Sequence, residues 1–448
     1  MKAEEKNLLC NHEWAGRFYP VGRADLAFAG HLRYSATDGL KLRYAMPMNL
    51  ADRETQWDVL HGETSNGTPL TLVGNFSAQN SGFAFRHGQS FWTSSGHPFA
   101  YLIEGYQFEG GVTFDRFDFE ITGLDDFFMP KGQSDFVRYS KAPIASANSG
   151  SGAFAIAHKA SFGVLGNDLR AQIHSDNEVA LDELQAAYNH LREKHPSFFP
   201  YLRRAFGHFA RFTPDDPCSI TDALKQIDSV VALLSLLRFC PTRLTSLSAI
   251  ARDECGHPHG MRVFPYRIDD QDAIDLSRSD RDHHSLPLNS SDMMFGRVLK
   301  AWSTGHDHYS SIISAIQSTT RKVAVHETHA TIVLAATQIE AIAVSNGNGA
   351  KTSKYSEPIA QYASPRLQAV IAGLFSCDVG GIGAALSDVR NEIAHVGRPR
   401  VRTASMTTRD LYRVGQCLQI VIAGWILERL GVSSTAREKY QSSLVSSW

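Results

Sequence analysis

Apolar and polar positions alternate through the first third of the chain. Residues 112–121, VTFDRFDFEI, alternate almost without a break, which suits a half-buried strand. Short runs rich in aromatic and aliphatic residues at 26–34, 40–46, 69–76 and 101–108 predict further strands, and 135–141 and 152–159 predict two more. Turn signals separate them: Thr37-Asp38-Gly39, Ser65-Asn66-Gly67 and Glu109-Gly110-Gly111. Many short strands at this spacing predict a β-rich domain over residues 1–175, an antiparallel sandwich or barrel-like sheet.

From Asn177 the period changes. Residues 179–194, 198–212 and 220–239 carry helical spacing, the last with Ser219 or Thr221 as its cap. Residues 252–291 are polar and read as a connector, which closes a helical middle segment over 176–290. The remainder, 291–448, is helical, with candidate helices at 293–302, 309–319, 327–344, 365–375, 383–395 and 410–430. A Gly- and Ser-containing linker interrupts them at 345–357, and Thr407 with Asp410 forms a capping signal before the last. The fold class is therefore α+β multidomain, ending in an all-α helical bundle.

With 448 residues there is chain enough for two or three domains. The formal charge of −2 excludes a global polycation, so nucleic acid would have to meet a local basic patch. Cys10, Cys218, Cys240, Cys255, Cys377 and Cys417 are scattered without a CxxC pair, which argues for a reducing compartment over a disulfide framework. No apolar signal segment opens the chain, and the run at 418–430 is too short for a bilayer. A cytoplasmic protein without a membrane partner is expected.

The segment with candidate chemistry is 382–402, IGAALSDVRNEIAHVGRPRVR. Ile382, Leu386, Val389, Ile393 and Val396 recur at alternating steps of four and three, a one-sided helical stripe. At about 100° per residue, Asn391 lies opposite that stripe, Arg390 flanks it, and His395 sits four residues beyond Asn391. Gly397 and Pro399 then stop the helix, so His395 is expected in its last turn, where the dipole favours a positively charged ring. Arg398, Arg400 and Arg402 follow and are candidate phosphate contacts.

Arg390-Asn391-Glu392-Ile393-Ala394-His395 resembles the R-x(4–6)-H signature of the HEPN superfamily, and the helical last third resembles the HEPN bundle. The β-rich front is similar to the N-terminal domain of the ApeA family of bacterial anti-phage proteins, most clearly at HGETSNGTPLTL, residues 61–72. The resemblance implies a metal-independent endoribonuclease, paired as a homodimer or higher homo-oligomer so that two motifs share a cleft, with no cofactor. His395 would exchange protons with the ribose 2′-hydroxyl and the leaving 5′-oxygen. Arg390 would hold the scissile phosphate, and Asn391 would orient the imidazole or the phosphate. The product would carry a 2′,3′-cyclic phosphate. RNA is the expected partner, tRNA among the candidates, together with a phage-derived trigger, a protein among the candidates. The alternative is a non-catalytic HEPN protein that binds RNA or protein, its β domain a recognition module.

Other clusters carry weaker signals. Cys255, His257 and His259, even with His283 and His284, match no four-ligand zinc spacing. His326 and His329 are three apart and do not form HExxH. Glu340, inside an apolar helix, is a candidate support for Arg390 through an ion pair across the bundle.

Overall fold

A computed structural model describes residues 7–47, 56–77, 82–86, 89–94, 99–197, 199–252, 258–278, 281–317, 325–347, 353–395 and 397–446. Its strands run β1 His12–Pro20, β2 Phe28–Ser35, β3 Gly39–Pro47, β4 Gln56–Thr64, β5 Pro69–Ser77, β6 Gly82–Arg86, β7 Gln89–Ser94, β8 Tyr101–Glu104 and β9 Arg116–Ile121. Helix α1, Leu124–Phe128, leads to the hairpin of β10, Ala145–Ser149, and β11, Gly152–Val164. Then come α2 Glu178–Lys194, β12 Tyr201–Pro214, α3 Ile220–Arg238, β13 Leu244–Arg252, β14 Pro258–Pro265 and α4 Gln271–Ser277. The last third holds α5 Phe295–Gln317, α6 Val325–Ser345, α7 Ser356–Tyr362, α8 Pro365–Leu374, α9 Ile382–Ala394, α10 Thr408–Arg429 and α11 Ser434–Ser446.

All the strands form one 14-stranded sheet in the order β10-β11-β12-β9-β13-β14-β8-β5-β4-β1-β2-β3-β7-β6. The alternation in β9 does what its sequence predicts: Phe117, Phe119 and Ile121 are buried while their neighbours are half-exposed. Residues 198–212 are a correction, because β12 occupies the span read as helix. Phe206, Phe209 and Phe212 recur every three residues and imitate a helical face. The face that meets the core is instead the alternate set His208, Ala210 and Phe212, whose first two members carry little hydrophobic signal. β13 and β14 stand in the middle of the sheet, β13 in a stretch given no element from the sequence and β14 within the span 252–291 read as a connector. Residues 135–141 are not a strand, and the edge strand is β10 instead.

Helix α3 is buried on almost every side and joins the two parts of the molecule. Its Ser219 caps the N-terminus by accepting from the Asp222 amide. Trp302 of α5, fully buried, donates its indole N–H to the Ser229 carbonyl and hydroxyl oxygens, each at 2.9 Å. Tyr440 of α11 donates to the Leu236 carbonyl at 2.7 Å. One continuous hydrophobic cluster therefore runs from Phe18 in the sheet to Val445 in the last helix.

The helical part is organised by α6 and α10. Ile332, Ala335, Ala336 and Ile339 are buried on α6, and Val414, Cys417, Leu418 and Val421 on α10. Among the described residues, one helix, Glu327–Ser345, is long and apolar enough to cross a membrane, and 44% of that window is buried inside the fold.

Candidate active site

Helix α9 is set by its stripe: Ile382, Leu386 and Val389 are buried to 1% exposure or less. Val396, the last stripe position, lies outside the described residues. The polar residues of the motif fall into two classes. Arg390 and Asn391 are half-buried, and His395 is exposed.

Arg390 is held from one side by its neighbour. Its Nη1 donates to Asn391 Oδ1 at 3.1 Å, and Asn391 Nδ2 donates to Ser387 Oγ at 3.5 Å, one turn earlier. Asn391 thus orients the guanidinium. Arg390 Nε is buried without a hydrogen-bond partner among the described residues. An unsatisfied buried guanidinium donor is costly unless something completes it, and an anion at this helix face is one way to do so.

The Glu340 ion pair to Arg390 does not form. Glu340 accepts from Lys354 Nζ at 3.0 Å and from the Tyr355 hydroxyl at 3.3 Å. Burial, and then the Glu340 charge, raise the Tyr355 phenol above its ordinary range, while Lys354 and Arg390 pull the other way. Burial is the largest influence on Lys354 and opposes its charge, but the hydrogen bonds and charges of Glu340 and Tyr355 together outweigh it and raise its pKa. Glu340 therefore sits near Arg390 through Tyr355. Lys354 and Tyr355 escaped the sequence reading because their segment, Ser- and Lys-containing and flanked by glycines, reads as a linker.

His395 closes the last turn of α9. The helix ends at Ala394, and His395 is the cap residue, with extended backbone and its N–H bonded to the Asn391 carbonyl. The extended backbone at His395 takes the chain out of the helix directly after it. Among the described residues the ring has no hydrogen-bond or ion-pair partner. Gly397 follows at φ +85°, the left-handed conformation that glycine favours.

The residue between them matters for a different reason. Glu392 is buried at 7% exposure. Its carboxylate accepts from the Arg402 amide at 3.0 Å and from the Thr403 amide and hydroxyl, both at 2.9 Å. Burial alone would raise its pKa, but these donors prevail and hold the carboxyl below its ordinary value. The loop after the helix stop is thereby tied back to the motif helix. The sequence signal was present, a carboxylate on the flank of an apolar stripe, but its loop partner is ten residues away and invisible to helical spacing.

The three following arginines separate. Arg398 and Arg400 are exposed, and Arg400 lies near α6. Burial, then the Arg400 charge, hold His329 of α6 below its ordinary value. Arg402 is already engaged: its Nε pairs with Asp388 at 3.1 Å and its Nη1 donates to the Phe375 carbonyl at 3.5 Å. Its role visible in the fold is to brace the loop. Among the described residues no group of three or more His, Cys, Asp or Glu is placed to hold a metal, and Cys255 and His257 lie outside them. His283, considered with them as a ligand, is buried with Nδ1 against the Asp126 carbonyl at 2.8 Å.

One helix thus presents an oriented, half-buried guanidinium and, at its end, an exposed imidazole. Such a pair can bind a phosphodiester and move protons beside it. Comparison with known proteins finds two families along the chain. Residues 13–302 match the family described as ApeA N-terminal domain 1, and residues 335–436 match Apea-like HEPN. No curated protein and no solved structure matches the chain. The first match takes in the whole sheet, including β12 to β14, and the second takes in α9 with Arg390 and His395. The chain belongs to the ApeA family, with an ApeA N-terminal domain joined to a C-terminal ApeA-like HEPN domain.

Proposed function

We propose that the protein is an anti-phage effector whose HEPN domain is a metal-independent endoribonuclease. The observation that carries this reading is the motif helix itself. Arg390, fixed by Asn391 and buried at Nε without a hydrogen-bond partner among the described residues, lies on α9, and the exposed His395, whose ring has no partner among the same residues, caps the end of that helix.

In the reaction, the ribose 2′-oxygen attacks the adjacent phosphorus and the bond from phosphorus to the 5′-oxygen breaks. His395 accepts the 2′-hydroxyl proton or returns one to the departing 5′-oxygen. Arg390 stabilises the extra negative charge on the phosphoryl oxygens. A second copy of the chain supplies the second motif of the cleft, so the working unit is a homodimer or a higher assembly. Arg398 and Arg400, exposed beside the helix end, contact flanking phosphates. The products are a 2′,3′-cyclic phosphate and a free 5′-hydroxyl, and DNA, which has no 2′-hydroxyl, is inert. The N-terminal domain senses a phage-derived trigger, and tRNA is a candidate substrate.

The test is RNA cleavage by the purified chain in excess EDTA, with and without lysate from phage-infected cells. Cleavage that leaves 2′,3′-cyclic ends supports the reading. Activity that EDTA abolishes, or silence under both conditions, counts against it.

A further inference from the structure

A chamber of about 650 Å³ lies where the edge of the sheet meets the start of α5. That volume is in the range of small-molecule sites. Its walls include Phe128, Phe295, His158, His208, Arg297 and Lys300.

The two histidines are fixed on one side only. His208 has just 3% of its side chain exposed, and its Nδ1 lies 2.8 Å from Asp125 Oδ1. Asp125 also accepts from the His208 amide at 2.6 Å. A carboxylate can only accept, so Nδ1 carries a hydrogen, and in the neutral ring Nε2 is an acceptor, with no partner among the described residues. His158 is held in the opposite sense. Its Nδ1 accepts from the Ser140 amide at 3.1 Å, which leaves an Nε2 hydrogen to donate. Burial first, then His208 and Arg203, hold its pKa below the ordinary value and so favour the neutral ring. The two rings are 5.5 Å apart, and Phe206 and Phe128 pack on them at 4.8 and 5.5 Å. A donor and an acceptor side by side among aromatic rings match the edge and faces of a nucleobase.

The lining also carries positive charge. Arg297 and Lys300 are exposed, one turn apart on α5, and neither has an ion-pair partner among the described residues. The helix, 23 residues long, begins at the chamber wall. Gly296 allows its first turn close to the sheet edge, where a Cβ would stand 3.2 Å from the Ser146 carbonyl oxygen. Cationic side chains beside a helix N-terminus form a phosphate environment.

We propose that this chamber binds a mononucleotide, its base among the histidine and phenyl rings and its phosphate against Arg297, Lys300 and the first turn of α5. The site is far from the α9 motif in sequence and element, and its occupancy can be measured whether or not the chain cuts RNA.

The test titrates the full-length protein with a fluorescent N-methylanthraniloyl nucleotide and competes it with AMP, adenosine, inorganic phosphate and a short RNA oligomer. Expected is saturable binding displaced by AMP, with adenosine and phosphate each at least about tenfold weaker because each lacks half of the recognition. Arg297→Glu with Lys300→Glu, both exposed positions, should weaken binding at least about tenfold with the melting temperature unchanged. His208→Phe should weaken it too, and a melting curve separates lost affinity from lost fold. No saturation below about 1 mM overturns the proposal, as does equal binding by the double variant. Displacement by the oligomer alone overturns it in favour of a contact with polymeric RNA.

Discussion

Glu392 illustrates how one side chain links the motif helix to the loop beyond it. Its folded-state pKa lies below the ordinary carboxylate value of 4.5. The sign follows from linkage: the unfolded chain binds the proton more readily, so stability from this group is fully present above about pH 4.5. It is lost as pH falls through the lower folded value. Glu392→Gln should flatten that part of the acid-unfolding profile, and Glu392→Ala should cost about 1–3 kcal/mol because the Arg402 and Thr403 amides lose their acceptor. Urea melts across a pH series check both, and identical wild-type and Gln profiles would contradict the account. Arg390 makes a different demand. Its planar fork is fixed by Asn391, so Arg390→Lys should not restore phosphate binding even though the charge remains. Fluorescence anisotropy with a non-cleavable 2′-O-methyl RNA is the measurement.

At the scale of elements, legibility followed how completely a pattern was local. Helices α9 and α10 were readable because stripe, cap and stop all lie within their own segments. Thr407 and Asp410 form the reciprocal capping box expected of them, the Asp410 amide donating to Thr407 Oγ1 at 3.1 Å. Thr407→Ala should therefore cost about 1 kcal/mol in denaturant melts and leave any cleavage activity intact. The strands with buried polar residues were harder. β4 buries His61 and Thr64 on its two faces, and β12 buries His208, so burial was real where hydrophobicity was not. At the site, Arg390, Asn391 and His395 were visible as a spacing. The Asn391-to-Arg390 bond, the extended cap at His395 and the Glu340–Tyr355–Lys354 cluster depend on rotamers and on a segment over thirty residues away in sequence, which no periodicity records.

For the whole molecule, the consequence of the shared core is mechanical. Trp302 stacks on Tyr309 at 5.8 Å, and Tyr309 meets Trp425 of α10 edge-on, while the Trp302 indole reaches α3. Trp302, like Tyr440, therefore packs the sheet side and the HEPN side together. Trp302→Ala should cost about 3–5 kcal/mol, and near-ultraviolet dichroism and activity loss should follow the same denaturant curve. Separate curves would mean that the two parts unfold independently. The central claim concerns what this packed unit presents at the end of α9. Its most direct measurement is end-group-resolved RNA cleavage in EDTA by the wild type, Arg390→Ala and His395→Ala, each verified as folded and supplied with infected-cell lysate. The account predicts cyclic-phosphate products from the wild type and a loss of about 10²–10⁴-fold in the His395 variant, with Arg390→Ala similarly impaired. Cleavage that persists undiminished in His395→Ala would contradict it.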